Sequence, residues 1–359
     1  MDFLQKIKRF GDDEVKALVK TQKGKGLIEI REVPIPEIND NEVLVKVHYS
    51  GICGTDIHIY TDQFPIYYPP VILGHEFSGE IAKAGKKVDG WKIGDRVVAE
   101  CQSLVCGKCN FCRTGHPEAC VHKRSPGWGI NGAFADYIKI PAWLLHKIPD
   151  NVSFKQAALT EPAAVSSQAL ITRGRVQAGD FVVVLGSGPI GIIIARIAQI
   201  AGASQVLITG IDQDEDQRFS LAKKIGIEHT ININKVNLKE LVDDLTNKTG
   251  ADLVIEAAGV EPTINQAFEV VRKLGKIAVI GVPGEEKINV KWLTGSLKAI
   301  DISFSFSSQY EDWVRVLKLF ENGTLDLTNL ATHEYMLEDW KIAFEKAIYC
   351  EGGKVLFRI

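Results

Sequence analysis

The distribution of apolar and polar positions in the second half of the chain predicts alternating strands and helices. The stretch DFVVVLGSGPIGIIIARIAQIAGASQVLITG, residues 180–210, begins as an apolar strand, passes through a glycine-rich turn into a helical pattern, and ends as a second strand. Four further strand patterns, separated by helix-length segments, are HTININ, ADLVIEAAG, GKIAVIGV and AIDISFSF. This alternation predicts an α/β domain with a parallel, doubly wound sheet.

The glycines between the first strand and the first helix of that domain have the spacing of a dinucleotide fingerprint. Gly186-x-Gly188-x-x-Gly191 follows a predicted strand and opens a predicted helix, and this context makes the motif specific. Gly186 allows the tight turn, Gly188 lets a pyrophosphate approach the backbone, and Gly191 lets the helix pack on the sheet. The helix N-terminus, which holds Pro189 and Ile190, then faces the phosphates.

Two patterns near the chain ends predict further elements. The run YEDWVRVLKLFENG is typical of a helix, and GGKVLFRI is typical of a last strand. At the other end, MDFLQKIKRFGDDEV places Phe3, Leu4, Ile7 and Phe10 on one face of a short helix. We interpret it as an extra N-terminal turn or helix that packs on the body, with a disordered tail as the alternative.

Length, composition and charge exclude several classes of protein. A chain of 359 residues is long for one domain, so two domains are expected. It is 45% hydrophobic and 24% charged with a net charge of −3, and it has no basic block to hold nucleic acid. No apolar run approaches the ~20 residues that cross a bilayer, and the first residues lack the apolar core of a secretory signal. We therefore expect a cytoplasmic protein with no nucleic-acid or membrane partner, in a compartment that disfavours disulfides.

Four of the seven cysteines are crowded into the segment VCGKCNFCRTGHPEAC. They follow the pattern C-x2-C-x2-C-x7-C, at Cys106, Cys109, Cys112 and Cys120. Four thiolates this close in sequence can surround one tetrahedral Zn2+. The alternatives, two disulfides or four buried thiols, fit poorly with the short spacings and a reducing compartment. The pattern predicts a structural zinc site, which has no open coordination position and performs no chemistry.

A second group of metal-ligating residue types is spread over three segments. GICGTDIHIY contains Cys53, LGHEFSGEIAKAG contains His75 and Glu76, and LTEPAAV contains Glu161. A thiolate, an imidazole and a carboxylate together form the mixed ligand set of a catalytic zinc site, which keeps a position for an exchangeable water. A lone buried histidine or cysteine would more often be a packing residue.

These motifs together resemble one known family. The run Gly74-His75-Glu76-x2-Gly79-x5-Gly85-x2-Val88 is similar to the signature of zinc-containing medium-chain dehydrogenases, and the CGTD, EP and four-cysteine segments follow in that family's order. The resemblance extends from about Ala17 to the C-terminus. Within the family, the chain looks most similar to the polyol (sorbitol or iditol) and threonine dehydrogenase branches.

The resemblance implies a two-domain architecture. A β-rich, GroES-like catalytic domain with two zinc sites would comprise residues 1–158 and 304–359, and the Rossmann dinucleotide-binding domain would comprise residues 159–303. The assignment of the C-terminal tail to the catalytic domain rests on the resemblance alone. Relatives in this branch are commonly tetramers, so a homotetramer is expected. The apolar edge strand AIDISFSF could pair across a subunit boundary.

The resemblance also implies roles for the catalytic residues. Cys53 and His75 would bind the catalytic zinc, Glu76 would be a third ligand, and Glu161 would hold a bound water or join the metal. Asp56 would accept a hydrogen bond from His75 and fix its tautomer.

Two residues next to Cys53 would form a proton relay. Thr55 would hydrogen-bond the substrate hydroxyl, and His58 would pass the proton to solvent, a task for which the imidazole side chain is suited near neutral pH. The alternative for His58 is an ordinary surface histidine. The carbon-bound hydrogen would leave as hydride to the nicotinamide.

The choice between NAD and NADP is less clear from the sequence. NAD-binding domains carry an acidic residue at the end of the second strand, but this chain has Gly210 there and its next loop looks about three residues longer than usual. A negative cluster at 212–216 should repel a 2′-phosphate, and Arg218 is the nearest cation. We expect NAD with Asp212 as the ribose ligand, with NADP as the alternative. The further candidate cofactor residues are Arg218, Gly281 and Val282.

The substrate is the least determined feature. Glu76 and the Glu161-Pro162 pair favour a polyol or sugar-like secondary alcohol, and the product would be the corresponding ketone. Sorbitol enzymes carry Phe-Arg-Tyr near the substrate, whereas this chain has Phe306-Ser307-Ser308. Threonine and butanediol oxidation are alternatives within the family. A non-enzymatic nucleotide-binding homologue is an alternative outside catalysis, although such proteins tend to lose the zinc ligands that this chain retains.

Overall fold

The computed structural model describes residues 14–359 of the chain. The predicted N-terminal turn or helix, with Phe3, Leu4, Ile7 and Phe10, lies outside the described residues. The contacts divide the described chain into two compact units. The first unit comprises residues 14–148, 335–344 and 356–359, and the second comprises residues 149–334 and 345–355.

The first unit is rich in short antiparallel strands. Its elements, in chain order, are β1 (Glu14–Lys20), β2 (Ile28–Pro34), β3 (Glu42–Gly51), α1 (Gly54–Tyr60), β4 (Val71–Ile72), β5 (Glu76–Ala84), β6 (Arg96–Ala99), α2 (Asn110–Arg113), β7 (Tyr137–Pro141) and β8 (Leu145–Lys147). One three-stranded sheet has the order β2-β1-β4. In a larger antiparallel sheet β3 pairs with β5 and β7, β5 with β6, and β6 with β8.

The core of the first unit lies on one face of the larger sheet. Alternate residues of β3 are buried there together with apolar residues of the strands that pair with it, namely Val43, Val45, Val47, Phe77, Ile81, Val97, Ile138 and Ile140. Such period-two burial is the pattern of a sheet with one face on a core. The pairing of β3 with β5 fixes which loops meet at the end of the sheet, and the candidate metal ligands lie on those loops.

The second unit contains alternating strands and helices. Its elements are α3 (Phe154–Ala157), α4 (Thr160–Ser167), β9 (Phe181–Leu185), α5 (Pro189–Ile200), β10 (Gln205–Gly210), α6 (Ser220–Lys224), β11 (His229–Asn232), α7 (Leu238–Leu245), β12 (Ala251–Glu256), α8 (Glu261–Val270), β13 (Val271–Val279), α9 (Trp292–Lys298), β14 (Asp301–Phe304) and α10 (Tyr310–Glu321). The remaining strands and α-helices of residues 14–359 are β15 (Ala331–Met336), α11 (Trp340–Ile348) and β16 (Lys354–Arg358).

Six strands of the second unit form one parallel sheet with the order β11-β10-β9-β12-β13-β14. This is the doubly wound order of a Rossmann fold, and it confirms the α/β fold class predicted from the strand and helix alternation. Every residue of β9 is buried, as expected for a central parallel strand with both faces covered. The order reverses between β9 and β12, so ligands are expected at the carboxyl ends of these strands.

The compact units differ from the predicted domain boundaries at residues 149–158, which group with the second unit, and in the C-terminal tail. The prediction assigned residues 304–359 to the catalytic domain, whereas 304–334 and 345–355 group with the second unit. The helix α10 packs against α4 there: Ser167 Oγ donates to Asp312 Oδ1 at 2.8 Å, and Arg315 donates to Ser167 Oγ at 2.6 Å. These buried polar contacts hold the helix on the second unit. The last strand, β16, pairs with β3 through residues 356–358.

None of the helices between residues 14 and 359 combines the length and the apolar character that a membrane span requires.

Candidate active site

Three predicted ligands of a catalytic metal lie together in the first unit. Cys53 precedes α1, His75 precedes β5, and Glu76 is the first residue of β5. One ligand atom from each lies within 4.8 Å of the others. A thiolate, an imidazole and a carboxylate at this spacing fit one Zn2+ and leave a position for an exchangeable fourth ligand.

The register between β3 and β5 creates the space for the Glu76 carboxylate. Gly51 is opposite Glu76 in the antiparallel pair, and Ser50 Oγ donates to the Glu76 carbonyl at 3.0 Å. A Cβ at position 51 would lie 2.3 Å from Glu76 Oε2. The absence of a side chain at Gly51 therefore lets the carboxylate occupy its buried position.

Asp56 connects the two segments that carry Cys53 and His75. Its fully buried carboxylate accepts hydrogen bonds from the backbone N–H of Cys53 at 2.9 Å and of Gly74 at 3.1 Å. Burial raises the pKa of Asp56 above its usual range, and the nearby His75 opposes that rise. The predicted hydrogen bond between Asp56 and the His75 ring stays a prediction. The two backbone contacts are a positioning role that sequence reasoning missed, although an Asp three residues after Cys53 is the spacing of a helix cap.

The two predicted relay residues both lie on α1. The Sγ of Cys53 is 3.8 Å from the hydroxyl Oγ1 of Thr55. His58 is one turn further along the helix and is partly exposed. The helix therefore places the Thr55 hydroxyl next to Cys53 and His58 one turn further on, and the relay itself stays a prediction.

Glu161, the fourth predicted ligand, belongs to the second unit. It lies in the first turn of α4 and is partly buried. Its role as a metal or water ligand stays a prediction.

The four cysteines of the predicted structural site form the second metal-binding cluster. The sulfur atoms of Cys106, Cys109, Cys112 and Cys120 all lie within 4.8 Å of one another. The Sγ–Sγ distance is 3.5 Å for Cys109–Cys112 and 3.7 Å for Cys120–Cys106. Tetrahedral coordination with Zn–S bonds of about 2.3 Å would place sulfurs about 3.8 Å apart, so the cluster fits zinc.

Backbone N–H groups around this cluster favour thiolates. The N–H of Cys109 donates to Cys106 Sγ, and the N–H groups of Cys106 and His122 donate to Cys120 Sγ. Hydrogen bonds from the Lys108 and Cys109 backbone lower the pKa of Cys106 to about 6. Burial, and next the neighbouring thiol of Cys109, raises the pKa of Cys112 to about 12. Without a cation, four crowded thiols cannot all ionise, and a bound Zn2+ would supply the missing positive charge.

The glycine fingerprint lies where the sequence predicts, between β9 and α5. Gly186 has a φ of +117°, and a Cβ there would lie 3.2 Å from the backbone of Ala257. A Cβ on Gly191 would lie 1.9 Å from the Gly186 carbonyl oxygen, so only glycine permits this helix–strand packing. Gly188 caps α5 and has no neighbour within 4 Å of its Cβ position, which leaves its backbone open to a phosphate. Pro189 and Ile190 begin α5.

The loops after β12 and β13 meet at the same edge of the sheet. A Cβ on Gly281 would lie 2.3 Å from the Gly259 nitrogen, and the Val282 side chain is largely exposed. The fully buried Glu256 contacts both loops: its Oε1 accepts from the N–H of Ala258 at 3.0 Å and of Gly259 at 2.8 Å after β12, and its backbone carbonyl accepts from the N–H of Gly281 at 3.0 Å after β13. Sequence reasoning missed Glu256, although an acidic residue that ends the apolar run ADLVIE was a signal. We call this edge, with the ends of β9, β10, β12 and β13, the dinucleotide edge.

The predicted ribose ligand Asp212 has partners at the end of β11 and in the loop that follows it. Its Oδ1 accepts from Asn232 Nδ2 at 2.7 Å, and its Oδ2 accepts from Asn234 Nδ2 at 2.9 Å. These two hydrogen bonds, that of Asn234 first, lower the pKa of Asp212. Arg218 pairs with Asp214 at 3.1 Å. The ribose-binding role of Asp212 stays a prediction.

Comparisons with known proteins place the chain among dehydrogenases. Residues 39–150 match the family model for the alcohol dehydrogenase GroES-like domain, and residues 189–322 match the model for zinc-binding dehydrogenase. The chain is 39% identical to a sorbitol dehydrogenase of Halalkalibacterium halodurans over 95% of this chain and 98% of the relative. It is 34% identical to an L-threonine 3-dehydrogenase of Alteromonas mediterranea over 95% of this chain and 99% of the relative.

A solved structure supports the same grouping. A zinc-binding dehydrogenase from Sinorhizobium meliloti, bound to NADP, superposes with a TM-score of 0.87 at 28% sequence identity. The superposition covers 96% of this chain and 99% of the other.

Proposed function

Because this chain belongs to the zinc-binding, GroES-like alcohol dehydrogenase family, we propose that it oxidises a polyol or sugar-like secondary alcohol with Cys53, His75 and Glu76 as catalytic metal ligands. It is a zinc- and NAD(P)-dependent dehydrogenase. The observation that carries the proposal is the convergence of these three ligands in a chain whose second unit has a dinucleotide fingerprint at the end of β9.

The two units supply separate parts of the chemistry. A zinc ion held by Cys53, His75 and Glu76 would supply a Lewis acid for the substrate hydroxyl, and a nicotinamide cofactor would supply the hydride acceptor. Thr55, whose Oγ1 is 3.8 Å from Cys53 Sγ, accepts the hydroxyl proton while it passes its own hydroxyl proton on toward His58. His58 releases that proton to solvent from the next turn of α1. Glu161 holds a water or joins the ligand set.

A polyol is our first choice of substrate. The 39% identity to a sorbitol dehydrogenase supports it, although Phe306-Ser307-Ser308 lacks the arginine expected of sorbitol enzymes. The 34% identity to an L-threonine 3-dehydrogenase supports threonine as the second candidate.

A substrate panel with metal analysis tests the assignment. Zinc-loaded protein is offered polyols, inositols, L-threonine and 2,3-butanediol with NAD+ or NADP+, and the rise of NADH or NADPH absorbance is followed. We expect a polyol signal and two zinc ions per chain. The variants Cys53→Ala and His75→Ala should each lose one zinc ion and the activity together. The matched control Cys350→Ala changes an exposed cysteine outside both clusters, so this variant should keep two zinc ions per chain and wild-type activity. A Cys53→Ala protein with normal turnover and a single zinc ion would contradict the ligand assignment.

An apolar surface on the second unit supports a homo-oligomer, for which we propose a tetramer. The strand β14 is at the edge of the parallel sheet, and Phe304 on it is about 70% exposed. On the neighbouring helix α9, Trp292, Leu293 and Leu297 are exposed to a similar degree. An exposed apolar edge strand invites pairing with another chain, and a second copy of this chain would complete the sheet. Phe304→Asp should therefore reduce the mass measured by light scattering, whereas the control Ile93→Asp on the first unit should not. A monomeric wild type would remove the proposal.

We also propose a cytoplasmic location, because the four-cysteine cluster fits a zinc ion in place of disulfides, which that compartment disfavours. Localisation of a tagged chain by fractionation tests it, and recovery with secreted proteins would contradict it.

A further inference from the structure

The end of β10 is closed to the side chain that usually binds the ribose of NAD. That position is occupied by Gly210. A Cβ there would lie 2.6 Å from Ser187 Oγ, 2.7 Å from Asp214 Oδ2 and 2.7 Å from a ring carbon of Phe219. No aspartate could stand at position 210 without displacing these atoms. The acidic group expected at the end of the second strand must therefore come from another residue.

The carboxylate of Asp214 lies in the space that a side chain at position 210 would fill. Asp214 is 8% exposed, and its Oδ2 accepts from the Ile211 N–H at 2.9 Å. The Oδ1 atom accepts from Arg218 Nη1 at 3.1 Å. An ionised carboxylate has about four acceptor positions, and these two contacts leave capacity for further donors. The lengthened loop after β10 thus returns a carboxylate to the strand end.

Ser187 places a second polar group at the same point. It lies between Gly186 and Gly188 in the fingerprint and is 2% exposed. Its Oγ atom is buried and has no hydrogen-bond partner within the part of the chain that the structure describes. Buried hydroxyls are rarely left without a partner, so this one indicates a ligand with its own hydroxyl groups. Asp214 and Ser187 therefore converge on one polar position at the dinucleotide edge.

Asp212 also accepts two hydrogen bonds, but they hold its carboxylate toward β11. Both of its carboxylate oxygens accept from the amides of Asn232 and Asn234, which belong to β11 and the loop that follows it. Its side chain is exposed, and it connects the loop after β10 to the loop after β11. We assign it to holding those loops together.

We propose that Asp214, assisted by Ser187, accepts hydrogen bonds from the adenosine ribose hydroxyls and thereby selects NAD+ over NADP+. The inference rests on the proposed function, because it presumes that the dinucleotide edge binds a nicotinamide cofactor. A 2′-phosphate would bring negative charge next to a buried carboxylate, which disfavours NADP+. Arg218, the nearest cation, is already paired with Asp214 and does not offer its charge to that phosphate.

Direct binding of the two cofactors tests the proposal without relying on turnover. Isothermal titration calorimetry with zinc-loaded protein gives the Kd for NAD+ and for NADP+. We expect the wild type to prefer NAD+ by at least tenfold. Asp214→Asn keeps the shape and removes the charge, so NAD+ binding should weaken about 10- to 100-fold. The affinity for NADP+ should stay the same or increase, since Arg218 is released from its ion pair with Asp214. The control Asp216→Asn, an exposed carboxylate on the same loop, should keep the wild-type ratio.

The variant Ser187→Ala separates ligand binding from structure. Removal of a buried hydroxyl without a partner should leave the melting temperature of the cofactor-free protein unchanged or higher. The same change should weaken NAD+ binding about 3- to 10-fold, because the ribose loses a hydrogen bond. A purely structural role would move both quantities in the same direction.

The outcomes are distinguishable from failure of the proposed function. If the wild type binds neither dinucleotide, the dehydrogenase assignment itself fails. If the wild type binds NAD+ but Asp214→Asn keeps the full preference, or if Asp212→Asn abolishes it instead, the role of Asp214 is overturned. A wild type that binds NADP+ more tightly than NAD+ also overturns it. If Asp214→Asn does not fold, Ser187→Ala tests the proposal instead. Weaker NAD+ binding together with an unchanged or higher melting temperature supports it, and any other combination overturns it.

Discussion

The substitution Gly51→Ala should weaken the catalytic metal site without unfolding the protein. A Cβ at position 51 would lie 2.3 Å from Glu76 Oε2, whereas ordinary contact begins at 3.4 Å. The carboxylate would have to retreat by about 1 Å. Strand sliding cannot relieve this contact, because the register of β3 and β5 places Gly51 opposite Glu76. The atom that must move is the end of a flexible side chain, so the cost to folding should be near the lower limit of overpacking, about 1 kcal/mol.

Zinc affinity is the quantity that should respond. Loss of correct ligand orientation in metal sites typically lowers affinity about 10- to 100-fold, which corresponds to about 1.4–2.8 kcal/mol. Competition with a chromogenic chelator can resolve the two zinc ions of each chain, and only the more labile one should change. Turnover should fall with the occupancy of that site, since a reacting group misplaced by about 1 Å can cost about 100-fold in rate.

The matched control is Gly54→Ala, in the same segment and next to Cys53. Its Cβ position has no neighbour within 4 Å, so zinc affinity should stay within about twofold of the wild type. Wild-type affinity at both sites in Gly51→Ala would refute the reasoning, because it would mean that the Glu76 carboxylate does not contribute to metal binding from its buried position.

Three further predictions concern stability. Cys106→Ser should remove one zinc ion per chain and lower the melting temperature by about 5 °C or more, because metal binding at such sites contributes folding energy; unchanged zinc content would contradict it. Asn232→Ala should lower the melting temperature at pH 7, because its amide donates to Asp212 and Glu215. Since both carboxylates have lowered pKa values, that contribution is fully present above their usual pKa values and is lost as the pH falls through the lowered ones, so a difference that persists once both carboxylates are protonated would refute the assignment. Lys298→Met should reduce the free energy of unfolding by about 1–3 kcal/mol, because Nζ donates to the carbonyls of Phe268, Glu269 and Val271; denaturant titration measures this, and an unchanged midpoint would contradict it.

Much of the site could be predicted from local sequence. The C-x2-C-x2-C-x7-C run predicted a four-sulfur cluster, and the structure brings those sulfurs within 4.8 Å because short spacings restrict the chain to one loop. The fingerprint was predicted for a similar reason, since Gly186 and Gly191 act within a single strand–turn–helix unit. The grouping of Cys53 with His75 and Glu76 needed more, because 22 positions separate Cys53 from His75, and the family resemblance supplied that connection.

The roles of residues that act through packing against distant segments could not be predicted from the sequence. Glu256 is one acidic residue among many in the sequence, and only the structure shows that residues after β12 and after β13 donate hydrogen bonds to it. Gly51 matters only through the register that places it against Glu76. Asp212 was predicted to bind the ribose because it follows the end of β10. In the structure its two carboxylate oxygens accept hydrogen bonds from Asn232 at the end of β11 and from Asn234 just after it.

The sequence by itself determined the alternation of strands and helices, the four-cysteine loop and the phosphate-facing turn, because each depends on residues close together in the chain. Tertiary structure alone decided the order of the strands, the partner of each carboxylate and the unit to which α10 belongs. These features depend on which distant segments pack together. Packing determines whether an aspartate in the loop after β10 connects two loops or faces a ligand. The end of β10 illustrates the difference. The sequence shows only a glycine at position 210, whereas the structure shows that the carboxylate of Asp214 lies in the space that a side chain at position 210 would occupy.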